Sequence, residues 1–141
     1  MTGERLLIIE DDKGITDIIR TLGKEMGFQI HCAMGSKLKE DFDTLKPEVI
    51  VMDILMPEMD GLEVLRFIEH KTLGVTSPRI IILSGSPSAY RRIAENLGKA
   101  FGLTIDASIA KPFRINDLRT ALEKARTMLN ANKNPPSEVS A

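Results

Sequence analysis

The sequence predicts an α/β fold, a parallel sheet with helices on both faces, and three observations carry that prediction. Apolar runs alternate with segments of helical period, the pattern of repeated strand–helix units. The runs Leu6-Leu7-Ile8-Ile9, Val49-Ile50-Val51-Met52 and Ala107 to Ala110 are continuous, as in strands covered on both faces. Each of them stops at charge: Glu10-Asp11-Asp12, Asp53, and Lys111-Pro112. Ligands of open parallel sheets bind beyond the carboxyl ends of the strands, so these acids and one ammonium converge on a single edge. Carboxylates that close cannot all ionise cheaply, so such a cluster binds a cation or carries shifted pKa values.

The elements follow in order. The first strand is about Arg5 to Ile9. A helix then shows Ile15, Ile18, Ile19, Leu22 and Met26 on one face and closes at Gly27, suited to the left-handed position after a helix. Phe28 to Ala33 forms a second strand, with Cys32 as a small buried hydrophobe. Ser36 is expected to cap a helix bearing Leu38, Phe42 and Leu45, which Pro47 bars from continuing. Val49 to Met52 is the third strand. The turn-rich Pro57 to Gly61 follows, with Asp60 capping a helix that uses Leu62, Leu65 and Ile68. Pro78 precedes the fourth strand, Arg79 to Leu83. Ser86 and Pro87 open a helix using Tyr90, Ile93, Ala94 and Leu97, and Gly102 ends it. Leu103 to Ile109 holds the fifth strand. Leu118, Leu122, Ala125 and Leu129 mark the last helix. Five strands alternating with five helices give a three-layer (βα)5 sandwich of the flavodoxin-like strand order 2-1-3-4-5. That order sets the first and third strands side by side, and with them Asp11 and Asp53.

The 141 residues fit one domain, expected over residues 4–130, with a disordered tail or interdomain linker over 131–141, where Pro135-Pro136 falls. A net charge of −1 offers no electrostatic footing for nucleic acid. Cys32 is the only cysteine, which excludes a disulfide framework and favours the reducing cytoplasm. No apolar run approaches the ~20 residues of a membrane span.

The signature Leu7-Ile8-Ile9-Glu10-Asp11-Asp12, Asp53-Ile54-Leu55-Met56-Pro57, Asp60-Gly61, Ser84-Gly85 and Lys111-Pro112-Phe113 resembles that of response-regulator receiver domains of two-component signalling, the CheY-like family. The likeness covers about residues 4 to 130. It implies that Asp53 is the phosphoacceptor, taking a phosphoryl group from a histidine kinase or phosphotransfer protein. It implies Mg2+, with Mn2+ as a substitute, held by Asp11, Asp53 and the carbonyl of Leu55, with Glu10 acting through a water. Counting back from Gly14-Ile15 makes Glu10-Asp11 the metal pair and leaves Asp12 as a capping or first-turn residue, which the helix dipole favours. Lys111 would pair with Asp53 and later with the phosphoryl oxygens, before a cis Pro112. Ser84 would supply a hydroxyl that moves toward the phosphoryl group. The resemblance further implies a signalling protein rather than an enzyme, and an output face made by the fourth helix, fifth strand and fifth helix, which could bind a partner or form a homodimer.

The chain departs from the family pattern in three places. Ser108 stands three residues before Lys111, where many receivers carry Tyr or Phe; Tyr90, the only tyrosine, sits on the fourth helix. The stretch Ala94 to Leu103 lengthens that helix and its loop, and is similar to receivers joined to EAL-type cyclic-di-GMP phosphodiesterase domains. Leu55 and Ser86 stand two residues after Asp53 and Ser84. Leu55 cannot orient an attacking water, so a long-lived acyl phosphate is expected.

Other classes fit less well. A haloacid-dehalogenase-type phosphatase needs an acid at Leu55, and Glu10-Asp11-Asp12 would repel the phosphate of a flavin nucleotide. The phosphate-loop and dinucleotide glycine patterns are absent. A pseudo-receiver, an interaction module that takes no phosphate, is the remaining alternative.

Overall fold

A computed structural model of the chain describes residues 3–85 and 88–133. The elements are β1 (Arg5–Ile9), α1 (Lys13–Glu25), β2 (Gln29–Cys32), α2 (Gly35–Leu45), β3 (Val49–Asp53), α3 (Gly61–Lys71), β4 (Arg79–Ser84), α4 (Ser88–Ala100), β5 (Thr104–Ala110) and α5 (Ile115–Lys133). The five strands form one parallel sheet ordered β2-β1-β3-β4-β5, the order predicted. Between β3 and α3, Leu55–Met56 and Met59–Asp60 pair as a small antiparallel hairpin, where the sequence suggested only a loop.

Strand side chains alternate between two cores. Leu7, Ile9, Ile50, Met52, Ile80 and Ile82 face Leu38, Phe42, Val64, Leu65, Ile68 and Ala94 of α2, α3 and α4. Leu6, Ile8, Val49, Val51, Ile81 and Leu83 face Ile19, Leu22, Leu118, Leu122 and Ala125 of α1 and α5. All of these side chains are buried. Each fully buried Leu or Ile contributes roughly 1.5–3 kcal/mol of transfer free energy, which explains why the central strands read as unbroken apolar runs.

The ends of the helices are set by local chemistry. Asp12 caps α1, its carboxylate accepting from the Ile15 N–H at 3.0 Å, and Asp60 caps α3, accepting from the Leu62 N–H at 2.9 Å. Gly27 (φ +89°) and Gly102 (φ +77°) follow α1 and α4 in the left-handed region that glycine adopts without strain. Ser36 is not a cap: α2 begins at Gly35, and its N-cap position, Met34, makes no side-chain bond. Cys32 is half-buried rather than buried, because β2 is the sheet edge, and its Sγ accepts from Arg20 at 3.0 Å. The last helix runs past 130 to Lys133. Ser86, Pro87 and the Pro135-Pro136 segment lie outside the described residues.

The fifth strand also differs from expectation. It runs from Thr104 to Ala110, and its register slips between Ile80/Ile81 of β4, so that Ile105 and Ala107 oppose consecutive residues and Asp106 is the extra one. This bulge turns Asp106 onto Arg79, whose Nε donates to Oδ2 at 2.8 Å; both residues are buried. The slip sets Ser108 beside Ile82 and Ala110 beside Ser84, so β5 meets the functional edge in step with β4.

Candidate functional site at the carboxyl edge of the sheet

The three predicted acids and the lysine meet at the carboxyl ends of β1, β3 and β5. Lys111 Nζ donates to Glu10 Oε1 and to Asp53 Oδ2, both at 2.8 Å. The second oxygen of each acid is held by backbone: Glu10 Oε2 accepts from the Asp12 N–H at 3.1 Å, and Asp53 Oδ1 from the Leu55 N–H at 3.0 Å. Glu10 and Asp53 are 6% and 4% exposed, so both carboxylates depend on these partners rather than on water. Asp11 is exposed and opens the site to solvent. Glu10, Asp11 and Asp53 each offer a carboxylate oxygen within 4.8 Å of the others.

Lys111 is positioned by its own strand end. Its N–H donates to the Ser84 carbonyl at 2.8 Å, joining the ends of β4 and β5, and the Lys111–Pro112 bond is cis, as the resemblance implied. Ser84 itself is fully buried at the end of β4. Leu55 enters the site through its backbone and turns an exposed side chain outward. Asp12 serves as a cap, its carboxylate turned to the first turn of α1.

The electrostatics follow from burial and pairing. Burial pushes the Glu10 carboxyl above its ordinary range, and the hydrogen bonds from Lys111 and Asp12 only partly offset it. Burial also works against the Lys111 ammonium, but its bonds to Asp53 and Glu10 outweigh that, and its pKa is raised. An all-oxygen set of carboxylates this close suits a hard divalent cation and does not suit a soft or thiolate-seeking metal.

The response regulator receiver domain family model matches residues 6–123. The chain belongs to that family. It is 31% identical over 130 residues to the chemotaxis protein CheY of Listeria monocytogenes, covering 86% of this chain and 97% of that protein. It is 28% identical over 130 residues to the regulatory protein AtoC of Escherichia coli, covering 92% of this chain but only 26% of AtoC. The chain thus spans nearly all of CheY but a minor part of AtoC, and about half of the SphR regulator of Synechococcus elongatus, of which it covers 53%. Among solved structures, a CheY-like receiver domain from Methanospirillum hungatei matches with a TM-score of 0.73 at 24% identity, covering 94% of this chain and 98% of that one. A receiver domain from Vibrio parahaemolyticus matches with a TM-score of 0.77 at 17% identity, covering 96% and 99%. These two likenesses bear on the fold alone. The protein is therefore a receiver domain of a two-component response regulator, a class that works with histidine kinases, and its acidic edge is a cluster that could bind a metal ion.

Two features had only faint sequence signals. The sequence paired Lys111 with Asp53, whereas the lysine also bridges to Glu10. Tyr90, on α4, has its phenol held above its ordinary range by burial first and then by the nearby charge of the Asp60 carboxylate. Asp60 was legible as a cap, but nothing in the spacing of these residues tied it to α4.

Proposed function

We propose that Asp53 accepts a phosphoryl group from the phosphohistidine of a sensor kinase or phosphotransfer protein. The observation that supports this most is the arrangement around Asp53: a buried carboxylate with one oxygen on an N–H, the other on an ammonium, and two further acids alongside. In the transfer an Asp53 carboxylate oxygen attacks phosphorus, a P–O bond forms, and the P–N bond breaks to release the imidazole. Hydrolysis reverses the state: water attacks phosphorus, inorganic phosphate departs, and the carboxylate returns.

Each neighbour has a role. Lys111 holds Asp53 in place beforehand, and its charge then meets the phosphoryl oxygens. The Leu55 N–H orients the attacking carboxylate. Glu10, Asp11 and Asp53 would hold Mg2+, for which Mn2+ can substitute, Glu10 through a water and the Leu55 carbonyl completing the set. When bound, such an ion would neutralise the charge that gathers as one anion approaches another. Ser84, at the next strand end, would offer its hydroxyl to the phosphoryl group. The chain is then a switch and not an enzyme acting on a separate substrate. Its readable face is formed by α4, β5 and α5, where a protein partner or a second copy of the chain would bind in the cytoplasm. Among the described residues no helix is long and apolar enough to cross a membrane.

The test is direct. Incubation with Mg2+ and acetyl phosphate should add one phosphoryl group by intact mass, and Asp53→Asn should abolish it. Absence of the adduct on the native protein, or an equal adduct on the variant, would overturn the assignment.

A further inference from the structure

A cavity of about 690 Å³ lies between α2 and α3, with the hairpin after β3 along its rim. Clefts that take small molecules span roughly 300–1,000 Å³. Leu38, Val64 and Phe67 give it an apolar lining. Leu38 and Val64 are buried, whereas the Phe67 ring is only half-buried and presents apolar surface to the opening. Further along the two helices, Phe67 meets Phe42 edge-on with ring centroids 5.4 Å apart, and Lys71 donates to Asp43 at 2.8 Å. Those contacts close the cleft at that end.

Lys39 of α2 and Arg66 and His70 of α3 also line the cavity, and all three are exposed at its mouth. Among the described residues, none of the three makes an ion pair or a side-chain hydrogen bond. Other cations of the same helices do find acids: Lys37 pairs with Asp41 at 3.6 Å, and Lys71 with Asp43. The acids that line the cavity, Glu58, Asp60 and Glu63, are grouped at its hairpin end, and Asp60 is engaged as the α3 cap. Arg66 and His70 follow Glu63 by about one and two helical turns. Charge therefore runs from negative to positive along an apolar floor.

We propose that the α2–α3 cleft binds a small aromatic anion, a planar ring carrying one carboxylate, sulfonate or phosphate group. The ring would lie on Phe67, Leu38 and Val64, where aromatic contact adds to burial. The acidic group would sit among Lys39, Arg66 and His70, and the fork of the Arg66 guanidinium suits its paired oxygens. Glu58 and Glu63 at the other end disfavour a second acidic group, so the cleft selects a ligand charged at one end only. This site needs neither a phosphoryl group on Asp53 nor a metal ion.

The probe is anilinonaphthalene sulfonate, an aromatic monoanion that brightens on leaving water, titrated into the whole chain. One saturable site is expected, with the amides of Lys39, Val64 and Phe67 shifting in step. Phenylnaphthylamine has the same rings without the sulfonate and should bind about tenfold more weakly, the scale of one charge-assisted hydrogen bond. Arg66→Gln and Lys39→Gln should each weaken the sulfonate by about tenfold on the same grounds. Lys37→Gln, on α2 but outside the cavity lining, should leave its affinity unchanged. All three positions are exposed, so the variants should keep the native urea midpoint. No saturable binding, equal affinity for the uncharged probe, undiminished affinity in Arg66→Gln and Lys39→Gln, or shifts centred away from α2 and α3 would each overturn the proposal.

Discussion

Lys111→Ala removes the side chain that bridges Glu10 and Asp53. Its ammonium lies 2.8 Å from each, and the Glu10 and Asp53 side chains are 0% and 6% exposed. Taking one partner from a buried ion pair strands the remaining charge, at about 3–5 kcal/mol. Asp11 opens this site to water, so the low end applies, about 3 kcal/mol, or roughly 10 °C in Tm for a domain of this size. The pH dependence has a fixed sign. Burial already holds the Glu10 carboxyl above its usual range, and losing the Lys111 hydrogen bond lifts it further. A carboxyl whose folded pKa exceeds its unfolded value costs stability above the raised value, and the cost fades as pH falls toward the unfolded one. The deficit should therefore be largest near about pH 8 and shrink toward about pH 5. Divalent cation binding the freed acids should recover part of it by mass action. Urea unfolding of native and variant, with EDTA and with Mg2+ at both pH values, measures all of this. A deficit below about 1 kcal/mol in EDTA, or one that responds to neither Mg2+ nor pH, would refute the reasoning.

Three further outcomes are expected. Gly61→Ala forces a Cβ into Ile54 backbone, and should cost at least the ~1–3 kcal/mol of overpacking, seen as a lowered urea midpoint. Asp106→Ala leaves the Arg79 guanidinium buried without its carboxylate; a loss of about 3–5 kcal/mol is expected, with Asp106→Asn milder, by the same assay. Burial first, and then the Asp60 carboxylate, raise the Tyr90 pKa above its ordinary value. An ultraviolet titration of the single tyrosine should show that elevation and a fall toward the ordinary value in Asp60→Asn.

The strand order and the charged edge were legible because burial on both faces writes itself as unbroken apolar runs, and because charges can only follow where those runs end. Glu10, Asp53 and Lys111 could be read for that reason. The contacts that were hidden are those between elements with no shared period. The Asp106 bulge is one: a charged residue within an apolar strand hints at it, but the partner, Arg79, lies on another strand. The hairpin after β3 is another, since Leu55 to Asp60 contains Pro57 and is too short for strand periodicity to emerge. Ser36 misled because a good capping residue fell one position inside a helix that starts at Gly35. Cys32 misled because an edge strand leaves one flank open, which composition does not reveal.

The central claim is the identity of the acceptor atom. Treating the acetyl-phosphate-loaded protein with borohydride reduces an aspartyl phosphate to homoserine, and peptide mass spectrometry then locates it. The account predicts homoserine at Asp53 and nowhere else. Homoserine at Asp11 or Asp12, or unmodified Asp53 in protein that carries the adduct, would contradict it.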